Sequence, residues 1–215
     1  LLDEELTALS KVKENAKSSI AVLGGAKIST KLSLIDSLSK TVDKVILGGG
    51  IANTCLAAKG YEVGKSLIEE SMLEEAKELI TNPKIIIPES VIVSMNADEP
   101  GRITSANSIK ENEAIFDIAP DSFVDLEPII MNAGTILWNG PIGFFEKENF
   151  FAGTAMIAEM IISSKGFSVA GGGDTISAAE KAGVLDSLDY VSTAGGAFLE
   201  FMEGKKLPAL EALID

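Results

Sequence analysis

An apolar run through Ser168, Val169 and Ala170 stops at Gly171-Gly172-Gly173, and Asp174 and Thr175 follow before a helical pattern from Ile176 to Ala182. A strand, a glycine turn and a helix N-terminus together present backbone N–H groups to an anion. A carboxylate at such a turn repels bare phosphate. It makes sense where a divalent cation accompanies the phosphate, because a carboxylate is a good ligand for Mg²⁺. An ordinary turn with Asp174 or Thr175 as N-cap explains the same residues, and the segment alone does not choose between the two. A second candidate is Gly24-Gly25-Ala26-Lys27, with Lys31 four residues on. A helix over residues 26–39 would set both lysines on one face of its first turns. Cations there oppose the helix dipole unless they share an anion; two solvated surface lysines are the alternative.

The elements that must position these residues follow a repeating grammar. Apolar runs at 19–23, 44–47, 84–88, 134–138, 168–170 and 189–193 read as strands, and helical patterns at 26–39, 51–59, 71–81, 149–164 and beyond residue 173 alternate with them. Ser71-x-x-Glu74 has the form of a capping box. Residues 91–93 read as a continuation of the third strand, 96–112 as a polar surface excursion, and 114–120 as a short apolar piece leading to a helix that ends near 132. A helix over 1–15 opens the chain, and one to about 203 follows the last strand. Six strands alternating with helices predict an α/β fold: a doubly wound, Rossmann-like, six-stranded parallel sheet with helices on both faces. Ligands of such sheets sit at the carboxyl ends of the strands. Glycine turns fall at four of those ends, namely Gly24-Gly25, Gly48-Gly49-Gly50, Gly171 to Gly173 and Gly195-Gly196. Together they point to a large polyanion such as a nucleotide. The loop Asn139-Gly140-Pro141-Ile142-Gly143-Phe144-Phe145-Glu146 carries more apolar bulk than a turn needs. It either closes over something apolar or is anchored in the core.

Composition narrows the choice of function. A net charge of −14 argues against nucleic acid and anionic membranes as main partners. The chain has no histidine, which removes His-based triads and His general bases, and its one cysteine, Cys55, excludes an internal disulfide and fits a reducing compartment. No apolar run spans a bilayer, and the cytoplasm is the expected location. Gly60-x-x-x-Gly64-Lys65-Ser66 imitates a phosphate-binding loop but has one intervening residue too few and precedes no strand-to-helix turn; it reads as a plain loop. A dinucleotide-type dehydrogenase is disfavoured because no glycine turn has the G-x-G-x-x-G spacing.

Taken in order, Leu23-Gly24-Gly25-Ala26-Lys27, Gly48-Gly49-Gly50, Trp138-Asn139-Gly140-Pro141-x-Gly143-x-Phe145-Glu146, Gly171-Gly172-Gly173-Asp174-Thr175 and Val191-Ser192-Thr193-x-Gly195-Gly196 resemble phosphoglycerate kinase. The resemblance covers essentially the whole chain and is to the C-terminal, nucleotide-binding half. It implies a single nucleotide-binding domain over 1–215, with the phosphoglycerate-holding half lying before Leu1. It also implies Mg²⁺-assisted phosphoryl transfer between 1,3-bisphosphoglycerate and ADP, little turnover by this half alone, and a monomer. On this resemblance Lys27 holds the transferring phosphoryl group and Lys31 assists at the phosphates. Asp174 positions Mg²⁺. Thr175 and the amides around Gly172 and Gly173 sit at the phosphates, Gly25, Ala26 and Gly171 belong to the nucleotide site, and Gly195 and Gly196 add donors. Adenine lies against Gly48, Gly49 and Leu67, near Phe116. Asn139, Pro141, Gly143 and Phe144 line the nucleoside side, and Glu146 accepts ribose hydroxyls. The chain departs from the family's usual residues at Ser90, Ala119, Tyr190, Ala194 and Phe198. Those departures keep open the alternative of a decayed nucleotide-binding or scaffold module.

Overall fold

The computed structural model describes residues 18–192. Its frame is a six-stranded sheet built from β1 (Ser19–Leu23), β2 (Lys44–Leu47), β3 (Ile85–Ile86), β7 (Thr135–Asn139), β8 (Phe167–Gly171) and β9 (Tyr190–Ser192), in the spatial order β3-β2-β1-β7-β8-β9. Every pairing in it is parallel. The six runs expected from the sequence are these six strands. The register aligns Val22 with Ile46 and Trp138, and Leu23 with Leu47 and Asn139.

Because successive residues of a strand face opposite ways, an apolar run feeds two cores at once. Ala21, Leu23, Val45, Leu47 and Leu137 point to one face. There they meet Leu34, Ile35 and Leu38 of α1 (Leu32–Thr41) and Ile51 and Cys55 of α2 (Gly49–Ala58). Ile20, Val22, Ile46, Ile136 and Trp138 point to the other. That face is covered by α4 (Phe123–Met131), α5 (Ala152–Ser163) and α6 (Gly173–Lys181) through Phe123, Leu126, Ile157 and Ala178. This is the doubly wound architecture, and strands covered on both sides are why the runs are continuous rather than alternating. Burial pushes the Cys55 thiol up to about 12, so it packs as a small apolar side chain.

Several local expectations change. The helix expected from residue 26 begins only at Leu32, because Ile28 is buried in the core, Lys31 N–H bonds back to Ile28 O at 3.0 Å, and the Thr30 hydroxyl donates to Lys27 O at 2.8 Å. Such local bonds compete with helix. Lys27 and Lys31 therefore do not share a helical face. The capping box at Ser71 is not formed: Ser71 lies within a 3-10 turn (Glu70–Met72), and α3 (Leu73–Leu79) starts with no side-chain cap. α5 likewise starts at Ala152, after a 3-10 turn over Glu148–Phe150.

The larger correction concerns residues 90–118. The segment read as a continuation of the third strand, the polar excursion and the short apolar piece are together a second, antiparallel sheet of β4 (Ser90–Ser94), β5 (Arg102–Ser105) and β6 (Ala114–Ile118), in the order β5-β4-β6. Pro88 lacks the N–H that a continuing strand needs. Leu56 and Val63 close the apolar side of this sheet with Val91, Val93 and Ile115. The helices expected at 1–15 and up to about 203 lie outside the described residues.

Leu137 is fully buried in the core between the central strands and α1 and α2. Leu137→Ala is expected to cost about 3 kcal/mol, read as a lower urea midpoint at unchanged m-value.

Candidate functional site

The carboxyl ends of β1, β2, β7 and β8 face the small sheet across a cleft of about 450 Å³. The turns forming its floor are packed backbone on backbone. Gly24 N–H donates to Asn139 O at 3.0 Å, and a Cβ on Gly24 would stand 1.7 Å from Pro141 O. Gly49 N–H donates to Ile142 O at 2.7 Å. Glycine is thus demanded at Gly24 by the neighbouring turn. Gly173, by contrast, has nothing within 4 Å of where a Cβ would lie.

Gly172, at φ 99°, turns the chain from β8 into α6 and is the N-cap of that helix, with no side-chain cap bond. The reading of Asp174 or Thr175 as N-cap is therefore overturned. The buried Thr175 hydroxyl donates to Gly171 O at 2.7 Å and accepts from Gly140 N–H at 2.7 Å, clamping β8 to the turn after β7. Asp174 stands exposed in the first turn of α6 and lines the cleft. A carboxylate left uncapped at a cleft end, with no cluster of three or more metal-ligating side chains among the described residues, suits a cation that brings most of its oxygen ligands with the substrate.

Lys31 is folded back into the floor. Its Nζ donates to Gly24 O at 2.5 Å and to Asn139 O at 3.1 Å. Burial lowers its pKa to about 8, against the pull of the Asp174 carboxylate. Lys27 is exposed on the 26–31 loop, which is tied down where Ser29 N–H and Oγ donate to the Glu69 carboxylate at 2.8 and 2.6 Å. Those bonds hold the Glu69 carboxyl below its ordinary value, with the Lys27 charge adding to them.

The other end of the cleft is apolar. Phe116 stacks on Phe144 with ring centroids 6.0 Å apart and lies 4.8 Å from Phe150, while Leu67 is exposed on the rim. Of the two readings of the 139–146 loop, core anchoring is seen for Phe145, which is buried beneath α4 to α6, while Phe144 remains partly exposed on the cleft wall. Gly25, Ala26, Gly49, Pro141, Gly143 and Glu146 also reach the cleft. Gly48, Asn139, Gly171, Gly172, Gly173 and Thr175 are not among the residues that line it; of these, the buried Asn139 donates to Gly171 O at 2.6 Å. Gly195 and Gly196 lie outside the described residues.

Three groups that sequence reasoning passed over hold the 139–146 loop in place. Thr154 Oγ1 accepts from Ile142 and Gly143 N–H, both at 3.2 Å. Lys181, at the end of α6, donates to Phe145 O at 2.7 Å and lies 4.4 Å over the Phe151 ring. Asp117 is 2% exposed and accepts from Ile118 N–H at 2.9 Å and from Gly153 N–H, in the first turn of α5, at 2.8 Å. A Cβ at Gly143 would stand 2.1 Å from Asp117 Oδ1, so this carboxyl seats both the loop and the helix. Its one sequence signal was a charge inside an apolar run, which reads as a group that must find partners if it is buried. Gly60 to Ser66, as read, is a loop rather than a phosphate turn: Lys65 N–H bonds to Glu113 O and Ser66 Oγ accepts from Ile115 N–H, fastening it to the small sheet.

An open parallel sheet with its cleft at the carboxyl edge, aromatic at Phe116 and Phe144 and bearing the exposed Asp174 carboxylate, defines a doubly wound α/β domain, a class whose ligands sit at the strand ends. The chain belongs to the phosphoglycerate kinase family, whose family model matches residues 1–205. Among solved structures it is similar to phosphoglycerate kinase from Coxiella burnetii, at 44% identity and a TM-score of 0.94, covering 99% of this chain and 57% of that one. It is also similar to phosphoglycerate kinase from Pyrococcus horikoshii OT3, at 32% identity and a TM-score of 0.86, covering 100% of this chain and 56% of that one. The chain thus spans a little over half the length of the kinases it matches.

The Asp117 geometry has a pH signature. Burial pushes its carboxyl from the ordinary 3.8 up to about 7, against the pull of its two N–H donors. The folded state then holds a proton that the unfolded chain has released, so this group's contribution to stability falls as pH rises from about 4 to about 7. Asp117→Asn is expected to shrink the fall in urea midpoint between pH 5 and pH 7.5 relative to wild type.

Proposed function

We propose that the chain is the nucleotide-binding part of a phosphoglycerate kinase that reversibly transfers a phosphoryl group between 1,3-bisphosphoglycerate and ADP. The observation that carries the reading is the polarity of the cleft. Phe116, Phe144 and Leu67 form a slot for a flat base at one end. The exposed Asp174 stands at the other, with the Lys31 ammonium, held on the turn carbonyls, close enough to feel its charge, where phosphates and a divalent cation would come together.

The roles follow from the chemistry of each group. Adenine packs among Gly48, Gly49, Leu67 and Phe116, beside the wall of Asn139, Pro141, Gly143 and Phe144. Glu146, on the cleft wall, accepts the two hydroxyls of ribose, since a carboxylate offers two acceptors to two donors. Gly25 and Ala26, with the amides of Gly171, Gly172, Gly173 and Thr175, face the phosphates at the start of α6, where the helix dipole also favours negative charge. Asp174 would hold Mg²⁺, which supplies charge neutralisation on the phosphate oxygens. Lys31 keeps its ammonium at the strand ends through two carbonyl contacts and has a third N–H for a phosphate oxygen. Lys27, free of the helix, swings from an exposed loop and holds the transferring group. Gly195 and Gly196 add donors.

Phosphoryl transfer asks little covalent chemistry of a protein; alignment and electrostatic stabilisation supply the rate. A chain without histidine is suited to such a reaction. The acceptor carboxylate would be held by a further part of the enzyme, so this chain alone binds Mg-ADP or Mg-ATP with little turnover. It works as a monomer in the cytoplasm, with nucleotide and phosphoglycerate as its partners and neither nucleic acid nor membrane.

Calorimetric titration tests the reading. Mg-ADP is expected to bind, and Asp174→Ala and Glu146→Ala are each expected to weaken it on the order of tenfold, as for the loss of a hydrogen bond or ion contact to a charged group. Undetectable binding at millimolar Mg-ADP would overturn it.

A further inference from the structure

Asn53 is an anomaly in α2. It is 5% exposed, in a helix whose other buried side chains are almost all apolar or small. Its neighbour Thr54 is equally buried but satisfied: the hydroxyl donates to Gly50 O at 2.8 Å and accepts from Glu69 N–H at 3.1 Å. Asn53 has no such arrangement, and no side chain or backbone group among the described residues takes up its carboxamide. Its amide atoms are not among the sealed, unpartnered polar atoms of the interior, which are Thr135 Oγ1 and Asn139 Oδ1, and asparagine is a poor helix residue. Its position accounts for it. Gly49, Ala52, Asn53 and Leu56 share the α2 face that lines the cleft, so the one amide on that face is presented to whatever fills the cleft.

The surroundings define what it would meet. Leu56, Leu67, Ile115 and Phe116 line the same apolar end. The other polar side chains on the cleft wall are charged: Lys65 can only donate, and Glu146, Asp174 and Asp117 accept when ionised. Asp117 is in any case occupied by two backbone N–H groups. Among the described lining residues, Asn53 is the one carboxamide, with a donor and an acceptor side by side and neither engaged by the two backbone N–H groups that occupy Asp117. That pair complements an adenine edge, where an exocyclic amino group sits beside an acceptor ring nitrogen.

We propose that Asn53 reads the base of the bound nucleotide: its carboxamide oxygen accepts from the exocyclic amino group of adenine, and its amide nitrogen donates to the adjacent ring nitrogen. The inference rests on the nucleotide reading above and adds the residue that sets base preference. In an apolar slot such a pair discriminates well, because an analogue lacking one partner leaves the amide unpaired.

The experiment compares Mg-ADP with the diphosphate of 6-unsubstituted purine riboside, which lacks only the exocyclic amino group. Calorimetric titration of the wild-type chain is expected to favour ADP by about tenfold, the worth of a bidentate amide–adenine pair. Asn53→Leu and Asn53→Ala, each checked for native far-UV circular dichroism, are expected to bind both nucleotides with a ratio near one. A wild-type ratio of one would overturn the proposal whatever the variants do, and so would a variant that keeps the wild-type ratio. If neither nucleotide bound the wild-type chain, the nucleotide reading itself would fall, and this inference with it. The outcomes therefore separate the two.

Discussion

The seam between the turns after β1 and β7 is the constraint on which the rest of the site depends. These two strands are neighbours at the centre of the large sheet, and their turns leave no room between them for a side chain: Gly24 meets Pro141 O, and Gly24 N–H bonds to Asn139 O. Lys31 closes the seam from above by donating to a carbonyl from each strand end. Thr175 ties the same turn to β8 and so fixes where α6 begins. A single backbone contact therefore sets the relative position of the lysine at the floor and the carboxylate of Asp174. Preorganisation of this kind lets electrostatic groups act without reorganising when charge arrives.

The same seam sets a cost that a ligand would relieve. Burial lowers Lys31 to about 8 because its ammonium has exchanged water for two carbonyl dipoles. The Asp174 charge opposes that shift, and phosphate groups placed between them would oppose it further. An ammonium held on the edge of neutrality by its fold gains more from an incoming anion than one already solvated at the surface. Lys27 is the contrasting case: exposed, on a loop latched by Ser29 to Glu69, and able to move without disturbing the sheet. One lysine belongs to the floor and the other to the rim, a division that the shared helical face expected from their spacing had concealed.

What was legible in the sequence was what a continuous apolar run or a glycine turn encodes. All six strands of the large sheet were readable because strands buried on both faces carry uninterrupted apolar runs, and the glycine turns marked their carboxyl ends. The small sheet was not readable: β5 is short and mostly exposed, and Asp117 and the polar stretch before it broke the pattern that would have joined β4 to β6. The start of α1 was missed because spacing alone does not show that Ile28 is pulled into the core and the Thr30 hydroxyl bonds to the backbone. Asp117, Lys181 and Thr154 were missed for a common reason. Each acts on a segment distant in sequence, through contacts that no local motif announces.

Two departures from the family's usual residues can now be weighed in physical terms. At Ala119, where the family resemblance implies a glycine, φ of −87° and ψ of 156° are ordinary extended backbone, so alanine loses nothing there. Ser90 stands where an aspartate is typical. Its N–H donates to Ser122 Oγ at 3.2 Å, and its carbonyl accepts from that hydroxyl at 2.8 Å and from Ala119 N–H at 2.9 Å. A small side chain thus lies beside a bridge made entirely by its own backbone, and β4 stays joined to the turn that starts α4 without a carboxylate. Both changes fall behind the small sheet rather than in the cleft, and each is accommodated by backbone already in place. A decayed site would show lost polar groups or filled space on the cleft wall. Instead, Asp174 and Glu146 remain on that wall with Asn53 between the apolar residues, and the constraint that positions them is intact. Among the described residues, then, the departures at Ser90 and Ala119 leave the cleft wall and the seam that positions it unaltered.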